Sequence, residues 1–166
     1  MTGRTETETA APPGVREWPG FQVFKAGWWI QLLSEQLLVP LGIRGRHYLV
    51  LAMLGSGERL SQQQIANYMS LDPTSVVALI DELEEMGLCR RERDPDDRRR
   101  HAPVLTPAGR RMLARAQEVV DQIDEEVFAP LSDGERAQLA ELLDRVMEPY
   151  WAEKLVPARE RARSGG

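Results

Sequence analysis

Arginine is concentrated in one short stretch of this chain. Residues 86–111 contain eight arginines against four acidic residues, a local net charge of +4, whereas the whole 166-residue chain has a net charge of −5. The guanidinium group is planar, always charged and rich in N–H donors, so it suits bidentate binding of phosphate or carboxylate groups. An arginine run on an exposed turn is most often ordinary solvated surface. Its meaning therefore depends on the elements that position it.

Other side chains that commonly do chemistry lack the spacing that their chemistry needs. Cys89, His47 and His101 show no metal-ligand spacing. Asp96 and Asp97 lie in a predicted turn without a nucleophile or base, and no glycine-rich phosphate loop is present. Cys89 follows an apolar residue in a predicted strand, which favours a buried structural thiol over a redox sensor. We expect no catalytic residues, no metal and no cofactor, and therefore no enzyme.

Length and composition fit one domain with helical extensions. The chain is 42% hydrophobic and 28% charged, which is typical of globular proteins. Its longest mainly apolar stretch, residues 28–41, is too short and too polar to span a bilayer, and the N-terminus lacks the apolar segment of a secretory signal. A single cysteine permits no internal disulfide. We expect a cytoplasmic protein with no membrane partner.

The N-terminal part of the chain predicts a tail followed by two helices. Residues 1–20 mix Thr, Glu, Ala, Pro and Gly without apolar periodicity. Apolar residues from Phe21 onward recur at helical spacing until Pro40 and Gly42 end the helix. A second helix is predicted over residues 46–54. Together these helices carry more apolar surface than one short helix can cover.

Two short helices are predicted in close succession. Ser61 with Gln64 three residues later forms a capping-box pattern that opens the first. Asp72 followed by proline supplies an N-cap acceptor and a favourable first residue for the second. Gly87 suits the left-handed residue that follows a helix end. Two helices joined by so short a turn form a helix-turn-helix.

A hairpin and two longer helices complete the pattern. Residues 88–93 and 101–105 predict strands around a polar turn, and Pro103 places the second strand at an edge or bulge. Thr106 before a proline opens a long helix, and a second capping box at Ser132 opens the last one. The sequence thus predicts a mainly α protein with one small β-hairpin, and the arginine run lies in and around that hairpin.

Several short segments carry a further signal through their order. They are residues 60–61 (LS), 71–77 (LDPTSVV), 83–88 (LEEMGL), 90–91 (RR), 94–99 (DPDDRR) and 105–109 (LTPAG). Each is weak alone, but together and in this order they resemble the MarR (multiple antibiotic resistance) family of transcriptional regulators. The resemblance covers about residues 43–128.

The resemblance implies a winged helix-turn-helix whose hairpin is the wing, with N- and C-terminal helices forming a dimerisation domain. It also implies a homodimer on pseudo-palindromic double-stranded DNA, often with a small ligand that changes DNA affinity. The implied divisions are a flexible tail (1–20), an N-terminal dimerisation helix (21–42), a DNA-binding lobe (43–106), C-terminal dimerisation helices (107–152) and a C-terminal tail (153–166).

The residues expected to contact DNA lie on both helices of the pair and in the wing. They are Gln62, Gln63, Thr74, Ser75, Val77, Ala78, Asp97, Arg98, Arg99 and Arg100. Thr74 and Ser75 lie near the positive end of their helix and can meet phosphates or base edges. Family members commonly have polar or basic residues at positions 77 and 78. The apolar pair here predicts poor bidentate base readout and suits thymine methyl groups.

The wing is expected to supply the remaining specificity. Asp97 and Arg99 match the Asp-x-Arg element of the family. Arg98 or Arg99 is expected to enter the minor groove, where its width is read, with Asp97 orienting a guanidinium. A surface ion pair that holds the turn is the simpler role for Asp97, and both roles are compatible.

The resemblance also places a ligand pocket between the first, second and fifth helices. Its candidate lining residues are Trp28, Trp29, His47, Tyr48, Leu51 and Met112. Aromatic residues at helical spacing are more often core, and we favour a dimer core for Trp28 and Trp29. His47 can donate to an anion near neutral pH, although a residue at a helix start is often simply surface. The expected effector is a small aromatic or anionic molecule.

The sequence therefore predicts a homodimeric, sequence-specific DNA-binding regulator, expected to repress until a small effector releases it. The alternative is a winged-helix protein-interaction module that has lost specific DNA binding. Asp81 and Glu85 on the outer helix face, and the apolar residues at 77 and 78, favour that alternative. The salt dependence of duplex binding distinguishes the two.

Overall fold

The computed structural model describes residues 13–93 and 101–155, which form a mainly helical fold with one hairpin. Its elements are α1 (Pro13–Arg16), α2 (Pro19–Leu38), a 3-10 turn (Val39–Leu41), α3 (Gly45–Gly55), α4 (Gln62–Met69), α5 (Pro73–Glu85), β1 (Cys89–Arg93), β2 (His101–Leu105), α6 (Pro107–Val127) and α7 (Asp133–Leu155). The predicted mainly α architecture with one small β-hairpin is confirmed.

The helix ends follow the predicted local chemistry. The side chains of Ser61, Asp72 and Thr106 each accept a hydrogen bond from the backbone N–H three residues later, at 3.0–3.2 Å. At the start of α7, the backbone N–H of Ser132 donates to the Glu135 side chain at 2.8 Å, which is one of the two bonds of the predicted capping box. Gly87 adopts φ +70° after α5, a conformation that costs glycine little. Short-range residue chemistry therefore sets these boundaries.

Some boundaries differ from the predicted ones. α2 begins at Pro19 rather than at residue 21, because proline is well accommodated in a first helical turn, and α1 occupies part of the segment expected to be a tail. α7 continues through Pro149 to Leu155, three residues into the predicted C-terminal tail. Residues 1–12, 94–100 and 156–166 lie outside the described residues, so the remaining predictions for both tails and for the tip of the hairpin are not tested.

The core lies mainly in the lobe formed by α3, α4, α5 and the hairpin. The largest side chains with almost no exposed surface are Leu38, Ile43, Val50, Leu51, Ile65, Val76, Ile80, Leu83 and Ile123. Cys89 is buried among them, as predicted, with Sγ donating to the carbonyl of Ile80 at 3.6 Å. This burial raises the pKa of the Cys89 thiol to about 11, so little reactive thiolate forms at neutral pH.

The hairpin is a two-stranded antiparallel sheet held against the start of α6. Arg91 pairs with Pro103 in its register, and both strands are edges of this sheet, which tolerates the missing N–H of proline. A Cβ on Gly109 would lie 1.9 Å from the carbonyl oxygen of Leu88, so only glycine lets α6 approach the base of the hairpin this closely. The hairpin and α6 are therefore joined through a tight backbone contact.

Large apolar side chains remain exposed on α2 and α7. They are Val23, Phe24, Trp28, Trp29, Leu32 and Leu37 on α2, and Leu142 and Val146 on α7. Within residues 13–93 and 101–155, no single helix is both long and apolar enough to cross a membrane. α2 with its 3-10 extension and α3 reach that length and composition only jointly, as a pair bent by 80°.

Candidate nucleic-acid interface and adjoining cavity

The outer face of α5 carries the residues predicted to meet DNA. Thr74 and Ala78 are exposed and Val77 is half-buried, while the stripe containing Val76 and Ile80 packs into the core beneath them. This is the orientation that the helical period predicts. Thr74 and Ala78 are thus available to a phosphate or a base edge.

Ser75 has a structural role at the start of α5. It is half-buried, its backbone N–H donates to Asp72 Oδ1 at 3.0 Å, and its hydroxyl donates to Asp72 Oδ2 at 2.5 Å. These hydrogen bonds from Ser75 to the carboxylate, first that of the side chain, lower the pKa of Asp72. The predicted DNA contact of Ser75 must therefore be made by a hydroxyl that already caps the helix.

Two acidic residues of α5 are paired with an arginine of the hairpin. The Arg91 guanidinium contacts Asp81 Oδ1 at 2.6 Å and also binds Glu84, whose Oε1 accepts the backbone N–H of Arg91 at 2.8 Å. Because the carboxylates share this cation, their repulsion of a nearby phosphate is reduced. The sequence does not indicate this pairing, because Asp81 and Arg91 are ten residues apart and lie on different elements.

Besides Arg91, two described arginines of the run have partners within the chain, although both are exposed. Arg90 binds Glu92 Oε1 at 2.5 Å, and Arg110 donates to the carbonyl of Leu105 at 3.2 Å. Arg93 and Arg111 are exposed. The predicted wing contacts all fall outside the described residues and stay predictions: Asp97, Arg98, Arg99 and Arg100.

The first turn of α4 lies beside this region in sequence and carries two predicted contacts. Gln62 is half-buried, whereas Gln63 is exposed and donates through Nε2 to Asn67 Oδ1 at 3.2 Å. Ser61 and Gln64 bond reciprocally to each other's backbone N–H, as a capping box does. Gln63 therefore has the more accessible side chain of the two predicted contacts.

A cavity of about 430 Å³ opens between α2, α3 and α5. Its lining residues are Gln31, Glu35, Arg44, Arg46, Ser75, Ala78, Leu79 and Glu82. Two arginines lie on the α3 side, and Ala78 and Leu79 provide apolar surface on the α5 side. Since half of these residues belong to α5, the cavity and the candidate DNA surface share one helix.

Two residues of the cavity wall, Arg44 and Glu82, form a polar cluster with the buried His47 behind them, and this cluster joins α3 to α5. Glu82 Oε2 accepts a hydrogen bond from Arg44 Nη2 at 2.9 Å and lies 2.8 Å from His47 Nε2. His47 Nδ1 accepts the backbone N–H of Arg44 at 3.2 Å, so the hydrogen toward Glu82 is carried by Nε2. The hydrogen bond from His47, followed by the charge of Arg44, lowers the pKa of Glu82, which keeps the carboxylate ionised. We call these three residues the α3–α5 cluster.

None of the six residues predicted to line a ligand pocket lines this cavity. Leu51 has no exposed surface, and Met112 packs half-buried against the core. Tyr48 donates to Gln117 Oε1 of α6 at 2.8 Å, and burial is the main cause that raises its pKa. Their role as ligand contacts stays a prediction.

The other three predicted ligand residues also have different surroundings. Trp28 and Trp29 are exposed on α2, and Lys25 Nζ lies 4.2 Å from the Trp28 ring. His47 is only 4% exposed and belongs to the α3–α5 cluster. The cavity brings together residues near positions 31, 44 and 82, whose proximity no local pattern in the sequence indicates.

Known proteins are similar to this chain in both sequence and fold. A family model described as "MarR family" matches residues 45–101. The putative transcriptional regulatory protein for the hcr operon of Thauera aromatica is 37% identical over 120 residues, which are 72% of this chain and 70% of that protein. The structure of a MarR-family regulator from Rhodococcus sp. RHA1 is 34% identical, with a TM-score of 0.70, over 76% of this chain and 91% of that one. This chain belongs to the MarR family.

A further structure similar to this MarR-family chain is that of CouR from Rhodococcus jostii RHA1, solved bound to p-coumaroyl-CoA. It is 33% identical, with a TM-score of 0.74, over 81% of this chain and 95% of CouR. In the MarR fold, α4 and α5 form the helix-turn-helix and β1–β2 the wing. The predicted family, winged-helix fold and role in transcription regulation are confirmed.

Proposed function

We propose that this MarR-family protein is a homodimeric repressor that binds a pseudo-palindromic operator and releases it when a small aromatic or anionic effector binds. The observation that carries this proposal is the exposed first turn of α5 together with the pairing of Asp81 and Glu84 by Arg91. Because Arg91 neutralises part of the negative charge of α5, the helix can approach the phosphates of a duplex. Weak base readout at positions 77 and 78 leaves specificity to the wing arginines and to half-site spacing.

The exposed apolar faces of α2 and α7 support the homodimer. Phe24 and Val146 are 67% and 72% exposed, and Trp28 is 51% exposed. Large apolar side chains exposed along two helices commonly mark an interface, and a two-fold dimer buries the same face of both copies. Such a dimer presents two α5 helices to successive half-sites of a duplex. The dimerisation segments 21–42 and 107–152 and the DNA-binding lobe 43–106 are part of this proposal.

The cavity supports an effector that combines an anionic group with an apolar ring. Arg44 and Arg46 suit a carboxylate or phosphate, and Ala78 with Leu79 suits an aromatic ring. The ligand of CouR, p-coumaroyl-CoA, combines an aromatic acyl group with phosphates. We therefore propose an aromatic acid or its thioester as the effector class. A regulator of chromosomal DNA acts in the cytoplasm.

Duplex titration tests DNA binding. Fragments of the source genome that bind the protein are selected, and one is titrated beside a scrambled duplex of equal length at several salt concentrations. We expect a linear fall of log affinity with log salt concentration, and at least about 10³-fold tighter binding of the selected fragment. A dimer that binds neither duplex at low salt contradicts the repressor and favours the protein-interaction module.

The effector is tested by adding p-coumaroyl-CoA or benzoate to the protein–duplex complex, with free coenzyme A as the control. We expect a probe with an aromatic acid or acyl group to lower duplex affinity more than coenzyme A does. An equal effect of all three compounds contradicts the proposed effector class.

A further inference from the structure

The α3–α5 cluster lies where an effector in the cavity meets the recognition helix. We infer that this cluster transmits effector binding: the anionic group of the effector takes the Arg44 guanidinium from Glu82, and α5 then loses one of its attachments to α3. The inference rests on the proposed function, because it assigns a mechanism to the same cavity. It names Arg44 and Glu82 as positioning residues, since both act on DNA through the placement of α5.

The ion pair between Arg44 and Glu82 is open to competition. Both residues line the cavity, and their side chains are 62% and 44% exposed. Their contact joins Nη2 to a single carboxylate oxygen at 2.9 Å, whereas a guanidinium can hold a carboxylate or phosphate through two parallel hydrogen bonds. An exposed ion pair of this kind contributes little free energy, so an incoming anion displaces it at low cost.

His47 keeps α5 attached to α3 after Arg44 has left Glu82. Its ring is 4% exposed and both ring nitrogens are engaged, Nδ1 by the backbone N–H of Arg44 and Nε2 by Glu82. When Arg44 turns toward the anion, Glu82 therefore retains its hydrogen bond to His47. The consequence is a looser α5 that stays folded, which is the kind of bistable element that a ligand can bias.

The position of Glu82 connects the cluster to the DNA surface. Glu82 lies one helical turn after Ala78 and two turns after Ser75, and all three residues line the cavity. A shift at Glu82 thus moves the face of α5 proposed to contact DNA. Arg46 offers a matched comparison, because it lines the same wall two residues later and, among the described residues, no ion pair involves it.

The first experiment measures the cluster without any effector. Arg44→Gln and Arg46→Gln each remove one positive charge from the same wall, but only Arg44→Gln breaks the pair with Glu82. We expect Arg44→Gln to lower the affinity for the selected duplex about two- to fivefold more than Arg46→Gln does. We also expect faster amide hydrogen exchange in residues 78–85 in Arg44→Gln alone. Equal effects of the two substitutions overturn the inference.

A double-mutant cycle separates the pair from a general charge effect. Glu82→Gln retains an acceptor for His47 but loses the attraction to Arg44, so it should weaken α5 in the same way as Arg44→Gln. The double variant should show no further loss beyond the larger single loss, because both substitutions remove one interaction. Additive losses show that Arg44 and Glu82 act independently and overturn the inference.

The second experiment adds p-coumaroyl-CoA and benzoate as probes. In Glu82→Gln the probe should bind at least as tightly as in the wild type, because Arg44 is already free. The factor by which the probe lowers duplex affinity should fall by at least half, since the transmitting contact is absent. A variant that keeps the full wild-type factor overturns this inference alone. A wild type that binds the duplex but responds to neither probe overturns both the effector proposal and the inference.

Discussion

The lobe from α3 to β2 and the two flanking helices α2 and α7 use apolar residues in opposite ways. In the lobe, Ile65, Ile80 and Leu83 have no exposed surface, whereas Phe24 on α2 and Val146 on α7 are 67% and 72% exposed. Removing apolar surface from water stabilises the lobe within one chain. The exposed apolar side chains of α2 and α7 gain no such stabilisation within one chain, but they would gain it in an interface with a second copy. One chain therefore contains a completed winged helix and, in our proposal, half of an assembly interface.

The largest expected effect is on dimerisation and comes from substitutions in the exposed faces of α2 and α7. Combining Phe24→Glu with Val146→Glu places charges in both exposed apolar faces, and central interface residues often contribute 2 kcal/mol or more each. We expect the dimer dissociation constant to rise by at least about 100-fold in sedimentation experiments. Leu49→Glu, at an exposed apolar position of α3, is the control that should leave the dimer intact. A double variant that remains dimeric at low micromolar concentration contradicts the proposed interface.

The lobe is expected to be sensitive to the opposite kind of change. Ile80→Ala removes a side chain that has no exposed surface and leaves a cavity, so we expect the free energy of unfolding to fall by about 2–5 kcal/mol in urea titrations. Leu49→Ala, on the same lobe but 49% exposed, should change it by less than about 0.5 kcal/mol. Similar losses in the two variants contradict the burial pattern.

Two glycines, Gly109 at the start of α6 and Gly134 in α7, differ in the space that their backbone leaves for a side chain. Gly109→Ala places a methyl group against the carbonyl oxygen of Leu88, and we expect a loss of about 1–3 kcal/mol in the free energy of unfolding. Gly134→Ala in α7 meets open space and should be neutral or stabilising by up to about 1 kcal/mol. Thermal unfolding of both variants, measured at one protein concentration, checks the difference. The reverse order contradicts the tight joint at Gly109.

The smallest expected effect compares the helix caps of the two regions. Hydrogen bonds from Ser75 lower the pKa of Asp72 below its ordinary 3.8, and those from Ser132 lower the pKa of Glu135 below 4.5. A lowered carboxyl pKa stabilises the folded state above the ordinary pKa, and this stabilisation is lost as the pH falls from the ordinary values of 4.5 and 3.8 through the lower folded-state pKa values. Asp72→Asn and Glu135→Gln should each reduce the pH dependence of urea unfolding in that range. An unchanged slope in both variants contradicts the capping role.

Local chemistry explains how much of the molecule its sequence predicts. The caps at Ser61, Asp72 and Thr106, the left-handed Gly87 and the buried stripe of α5 all depend on residues within one or two turns, so spacing alone identifies them. The order of these elements along the chain then predicts the winged helix.

The site itself depends on contacts that spacing does not encode. Arg91 and Asp81 are ten residues apart, and Arg44 and Glu82 are 38 apart. Such pairs form only after helices and strands pack, and any of several arginines satisfies a carboxylate equally well in sequence. His47 is predicted as a ligand contact, and its partner Glu82 lies on another helix. This pair and the cavity beside it exist only once the two helices have packed together.

The close backbone contact at Gly109 also couples the orientation of α6 to that of the hairpin. α6 has 21 residues and is about 30 Å long, and its first turn is clamped to the base of the wing. A tilt of only about 5° at that end displaces the other end by about 3 Å over this length. In the dimer that we propose, a change in the angle between α6 and the wing therefore changes the separation of the two α5 helices. The lack of a Cβ at Gly109 is what allows this contact between α6 and the base of the wing.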